Sequence, residues 1–222
     1  WSLRTWDRFI LPKPFSKNDI YVIAENGGIT LKGKEVINTY TLAFDTIKTI
    51  IEKVRNIEAT EMVLCAKSKA YIESDNPEFI DFFKEFYTEY EKVEDLLNVP
   101  QDEFFKVAVY HPESSEEYIY PSVKSFEGEL QVKISGENWL DLSSLETHKG
   151  NALEKLQKIL GIDRTQTVVF GDFNNDLEML QLADFSFAMK NAHPNVKAVA
   201  NYSTKSNDDE GVETILEQIL NS

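Results

Sequence analysis

Asp172-Phe-Asn-Asn-Asp176 crowds two carboxylates and two carboxamides into five consecutive positions. Oxygen donors at that density suit a hard cation, Mg2+ before Zn2+, because zinc prefers nitrogen and sulfur while magnesium takes oxygen. A calcium-binding loop is nearly excluded: Leu177 stands where its sharp turn needs glycine, and Ala183 where its bidentate glutamate belongs. The competing reading of the same residues is a polar strand-to-helix turn with an Asx cap.

The flanking pattern positions this cluster. Thr167-Val-Val-Phe170 is β-branched or aromatic throughout and predicts a buried strand ending at Gly171. Leu177, Met179, Leu180 and Leu182 follow at a spacing that suits a helix. The oxygens therefore gather at the carboxyl end of a strand, where open α/β sheets place their ligand sites. Upstream, residues 150–160 predict a helix with Leu153, Leu156, Ile159 and Leu160 as its apolar face and Gly161 as its C-cap. Downstream come a strand over 185–189, a helix opened by Pro194 and a short strand over 202–204. A last helix is capped by Asn207, with Val212, Ile215, Leu216 and Ile219 inside.

The first half has a different character. Ile20–Ala24 predicts a strand, Glu25–Gly28 a tight turn, and residues 29–31 and 36–40 a β-hairpin around Lys32-Gly-Lys34. Phe44, Ile47, Ile50, Ile51 and Val54 fall at helical spacing. Strands over 61–66 and 70–72 follow, then a helix opened by Asn76-Pro77 and running through Phe79, Phe82, Phe83, Phe86 and Tyr90. A strand over 104–110 and short pieces over 113–118, 122–126 and 130–134 complete an α+β module. The fold class is α/β with a second α+β domain inserted: residues 1–41 and 136–222 form one domain and residues 42–135 the other.

The 222 residues carry 42% hydrophobic and 27% charged side chains, ordinary values for a soluble globular protein. A net charge of −15 argues against nucleic acid as a partner, since a phosphate-backbone binder needs a basic face. It permits small phosphorylated ligands, because a lysine and a metal can reverse the field locally. The single cysteine, Cys65, rules out an internal disulfide, fits a reducing cytoplasm and sits in an apolar run that implies core packing. No stretch approaches the roughly 20 apolar residues of a membrane span.

Taken together, Gly171-Asp-Phe-Asn-Asn-Asp176, Lys149-Gly-Asn-Ala152 one helix upstream, Met189-Lys-Asn-Ala192, Asn195-Val-Lys197 and Asn207-Asp-Asp-Glu-Gly-Val212 resemble the haloacid dehalogenase-like (HAD) phosphatases. Within them the likeness is to the Cof-like branch with a large C2-type cap, which Glu25-Asn-Gly27 and its hairpin also fit. The resemblance implies a Rossmann-like core with an inserted α+β cap. It also implies a Mg2+-dependent phosphatase acting on a small phosphorylated metabolite through an aspartyl-phosphate intermediate. Asp172 would ligate Mg2+; Asp176 and Asn175 would orient waters and Lys149; Lys149 would neutralise the nucleophile and the phosphoryl group. Asn191 would shape the loop beside the metal.

One departure is serious. The family's DxD motif, which supplies the nucleophile, has no match before Ile20. Trp1-Ser-Leu-Arg4 instead resembles the second motif with Leu3 replacing glycine, so that Ser2 would donate to a phosphate oxygen. On that alignment these residues belong to a longer phosphatase; the alternative is a non-catalytic metal- or phosphate-binding relative. The resemblance leaves the leaving group to the cap, with a sugar phosphate or a phosphorylated cofactor such as FMN or pyridoxal phosphate as substrate. With the charge and the lack of a long apolar stretch, the expected partners exclude nucleic acid and membrane, and the expected state is a monomer or weak homodimer. His148 reads as solvated, and His111 and His193, each before proline, as turn residues.

Overall fold

The computed structural model describes residues 16–87 and 89–221, which pack as two compact units divided between Thr147 and His148. In the first unit, β1 (Tyr21–Ala24), β2 (Ile29–Lys32) and β3 (Glu35–Thr39) form an antiparallel meander. The turn after β1 passes through three left-handed residues, Glu25, Asn26 and Gly27. Ala24, Ile29 and Leu31 pack on Phe105 to make a small core of their own.

The rest of this unit is a six-stranded sheet in the order β6-β5-β4-β7-β9-β8. Helix α1 (Phe44–Val54) precedes β4 (Glu61–Ala66) and β5 (Ala70–Ile72); α2 (Pro77–Phe83) leads to β6 (Tyr90–Lys92). Strand β7 (Phe104–Tyr110), a helical segment ending in α3 (Tyr120–Val123), β8 (Leu130–Ile134) and β9 (Trp139–Ser144) follow. Alternation sorts the faces. Met62, Leu64, Val107, Val109, Leu140 and Leu142 meet Ile47, Ile50, Ile51 and Val54 of α1 in the larger core. Val63, Cys65, Ala70, Ile72 and Ala108 meet Phe79 and Phe83 of α2 on the other side.

Two expectations need correction here. The aromatic helix stops at Phe83 rather than reaching Tyr90. Its stripe continues into a turn, where Phe86 packs edge-on against Trp139, and Tyr90 joins a strand parallel to β5, opposite Ala70. Residues 139–144 form a full strand of the six-stranded sheet, paired with both β7 and β8. The expected boundary at residue 135 therefore falls between two strands that pair with each other.

The second unit is α/β. Helix α4 (Lys149–Leu160) is followed by β10 (Val168–Gly171), a single 3-10 turn (Asn174–Asp176), α5 (Leu177–Leu180), β11 (Phe185–Ala188), α6 (Pro194–Val199), β12 (Tyr202–Ser203) and α7 (Gly211–Leu220). Strands β10, β11 and β12 are parallel, in that order. Val169, Leu180, Ala183, Ala188, Met189, Ala192 and Val196 form the core. Gly161 caps α4 in the left-handed conformation, as its sequence pattern predicts.

Only part of the apolar stripe of α4 packs inward, where Leu153 meets the core and Leu156 is half-buried. Gly150, Ala152 and Gln157 are the buried positions, while Ile159 and Leu160 stay exposed. The small residues admit close packing on α5, and Gln157 donates to Thr167 Oγ1 (2.8 Å) and the Leu182 carbonyl (3.0 Å). Leu216 of α7 is likewise exposed. That helix starts at Gly211, not behind Asn207, because Glu210 is left-handed (φ 57°) and breaks it from the turn over 207–209.

Candidate active site

Strand β10 delivers the chain to Gly171, where the polar turn folds back over the strand end. A Cβ at this position would lie 2.8 Å from the Asp176 Cβ and 3.1 Å from a Leu180 methyl, so the close approach needs glycine. Folded back this way, Asp176 is 4% exposed and both its oxygens are engaged. Oδ2 accepts the backbone N–H groups of Asp172 (3.0 Å) and Phe173 (3.4 Å), and Oδ1 accepts the Lys149 ammonium at 2.6 Å. Lys149 reaches it from the first turn of α4, which rides tightly on α5: a Cβ on Gly150 would lie 2.7 Å from the Glu178 Cβ.

Asp172 is the opposite case. Its carboxylate is exposed and accepts no hydrogen bond among the described residues, while its backbone carbonyl accepts the His193 N–H at 2.8 Å. Asn175 lies half-buried in the same turn, and Asn174 Oδ1 accepts from Asn195 Nδ2 at 3.2 Å. Lys149, Asp172, Asn175 and Asp176 thus meet at one place, the carboxyl edge of the parallel sheet. Asn191 sits at the same edge on the loop after β11, where its Oδ1 accepts the Asn207 N–H at 3.3 Å. That bond ties its loop to the one after β12. Ser2 lies outside the described residues.

The Lys149–Asp176 pair is neutral as a unit, so Asp172 leaves one net negative charge facing solvent. Among the described residues no three His, Cys, Asp or Glu side chains converge as a complete cation site. One unengaged carboxylate fits Mg2+ in particular, which keeps most of its waters and takes only one or two carboxylates from a protein. Sequence reasoning missed two supporting residues. His148 caps α4 by accepting the Asn151 N–H at Nδ1 (3.1 Å), so it sets the start of the helix that presents Lys149. His193 holds the Asp172 carbonyl through a main-chain N–H, a contact any residue but proline can make, so its side chain carried no signal.

Residues 12–216 match the family model of the haloacid dehalogenase-like hydrolases. The 5-amino-6-(5-phospho-D-ribitylamino)uracil phosphatase YbjI of Escherichia coli is 35% identical over 93% of this chain and 77% of its own length. A Bacillus subtilis phosphatase named for the same compound, YwtE, is 37% identical over 41% of this chain and 32% of its own. The crystal structure of SMU.1108c from Streptococcus mutans UA159 superposes with a TM-score of 0.82 at 28% identity, covering 92% of this chain and 78% of that one. The chain belongs to the haloacid dehalogenase-like hydrolase family, with the α/β fold of that family. Its reaction class is that of a phosphoric monoester hydrolase.

Proposed function

We propose that the protein is a Mg2+-dependent phosphatase of a small phosphorylated metabolite, acting through an aspartyl-phosphate, with a ribityl phosphate ester as its substrate class. The observation that carries this is the division of labour between two neighbouring aspartates. Asp176 is buried and spent on Lys149 and two backbone N–H groups, while Asp172 is exposed and unspent. In this reading Asp172 holds the cation, which when bound stabilises negative charge on the phosphoryl oxygens. Asp176 keeps Lys149 in place, and the Lys149 ammonium faces the phosphoryl group as a fixed positive charge. Asn175 orients water, Asn191 shapes the adjoining loop, and Ser2 donates to a phosphate oxygen. None of these supplies the nucleophile, so the reading requires one further aspartate.

The ribityl phosphate class is supported by the compound for which the relatives YbjI and YwtE are named. A division into a core and an inserted cap that begins near residue 42 belongs to the same proposal, with the cap's second boundary placed beyond Ser144 by the strand pairing of residues 139–144. A cytoplasmic location and a monomer or weak homodimer complete it. Steady-state release of phosphate from p-nitrophenyl phosphate with Mg2+, abolished by Asp172→Ala, is the expected result. No release by the unmodified protein, with Mg2+ still bound, would favour a non-catalytic metal-binding relative.

A further inference from the structure

The loop that carries Asp172 also carries an aromatic ring that the core does not use. Phe173 is 51% exposed. Other large apolar side chains of this unit are exposed too, but they lie on helices or at strand starts: Ile159, Leu160, Leu216, Ile219 and Leu220 on α4 and α7, Phe185 and Tyr202 at the first residues of β11 and β12. Among the described residues, Phe173 alone of these stands on a loop at the carboxyl edge of the parallel sheet.

Among the described residues its one ring partner is His193, with centroids 5.9 Å apart and planes at 75°. A perpendicular contact braces a ring without covering it as a stacked partner does. His193 is itself fixed at two points: its backbone N–H donates to the Asp172 carbonyl (2.8 Å), and its Nδ1 accepts the Asn195 N–H (3.2 Å). Phe173 is fixed through its own backbone N–H, which donates to Asp176 Oδ2 at 3.4 Å. An exposed aromatic held in this way loses little conformational freedom when a flat ligand settles on it.

We propose that Phe173, braced by His193, is a stacking platform for a planar ring carried by the leaving group of the phosphate ester. The inference rests on the reading of Asp172 as the cation ligand beside the phosphoryl group, and it assigns to a residue of this chain the contact with the ring of such a ribityl phosphate. Phe173 follows Asp172 directly, with Cα atoms about 3.8 Å apart. A ring joined by a short flexible chain to a phosphoryl group lying between Lys149 and a cation held by Asp172 therefore falls within its reach. Stacking on an aromatic face tolerates many ring types, so Phe173 selects for flatness and leaves ring identity to other contacts.

The test compares flavin mononucleotide with ribitol 5-phosphate, the same phosphorylated chain with and without a ring. Each is measured with Mg2+ as kcat/KM where the ester turns over and as Kd where it does not. Phe173→Ala is expected to weaken flavin mononucleotide about tenfold and ribitol 5-phosphate by no more than about twofold, with Phe173→Tyr restoring the difference. Equal losses for both esters, or no loss for either, would overturn the platform. Absence of phosphate release from any ester sinks the hydrolytic reading instead, and the ratio of the two Kd values still decides the role of Phe173. The side chain is half in solvent, so its truncation leaves the fold intact.

Discussion

Lys149 Nζ lies 2.6 Å from Oδ1 of Asp176, and the other oxygen of that carboxylate holds the backbone N–H of Asp172. One buried side chain therefore sets the place of the ammonium and the place of the exposed carboxylate together. Moving Asp176 moves both.

Asp176→Asn is expected to lower phosphate release by about 10- to 100-fold, the usual effect of losing a group that orients a metal ligand. Lys149→Met leaves Asp176 buried without its counter-charge, at a cost of about 2 kcal/mol, moderated by the two backbone N–H groups it keeps and by the partial exposure of Lys149. Combining the two changes should cost less stability than their sum, because the methionine no longer strands a buried charge. Urea titration of the four proteins checks this, and strict additivity would show that the pair is not coupled.

Gly171→Ala places a methyl group 2.8 Å from the Asp176 Cβ. The turn must open to admit it, which we expect to cost about 1–3 kcal/mol. Activity should fall with it, because the opened turn releases the Asp172 N–H from Asp176. A variant as stable and active as the parent would show that the turn tolerates the shift.

Glu61 gives a pH signature. Burial holds its carboxyl above the usual value of 4.5, against the opposing hydrogen bonds with Ser74 and Asn76. The folded chain thus binds this proton more tightly than the unfolded chain does. Its favourable contribution is complete below pH 4.5 and is lost as the pH rises through the raised folded value. Glu61→Gln, which never ionises, should melt above the parent at pH 7, with the gap closing toward pH 4. A gap independent of pH would assign the effect to packing.

Cys65 is buried, with Sγ 3.3 Å from the Tyr87 hydroxyl, and burial pushes its thiol up to about 12. Because the thiolate is the reactive form, alkylation at pH 7.5 should proceed only as fast as the first unit opens. Following iodoacetamide labelling by mass spectrometry across a urea series checks this. Rapid labelling of the native protein would contradict the burial.

Much of the site was legible because its signals are local. The motif from Gly171 to Asp176 fixes a turn by short-range sterics and Asx chemistry, and Lys149 heads a helix whose glycine cap is plain at residue 161. Where sequence and structure part, longer-range packing decides. The aromatic spacing from Phe79 to Tyr90 is helical throughout, yet Phe86 is drawn to Trp139 and Tyr90 to the edge of β5, contacts that no local pattern encodes. The stripe of α4 misled in part for a related reason: Leu153 does pack on the core, but the fully buried positions are Gly150, Ala152 and Gln157, where size counts for more than hydropathy. The strand over 139–144 was readable in principle, since Leu140 and Leu142 alternate with Asp141 and Ser143.

The hydrogen bond from the His193 amide to the Asp172 carbonyl makes that proton a built-in gauge of the loop. Its exchange with deuterium can proceed only when the loops after β10 and β11 part. If Asp172 holds the cation as proposed, titrating Mg2+ while following this single amide would detect it with no substrate present.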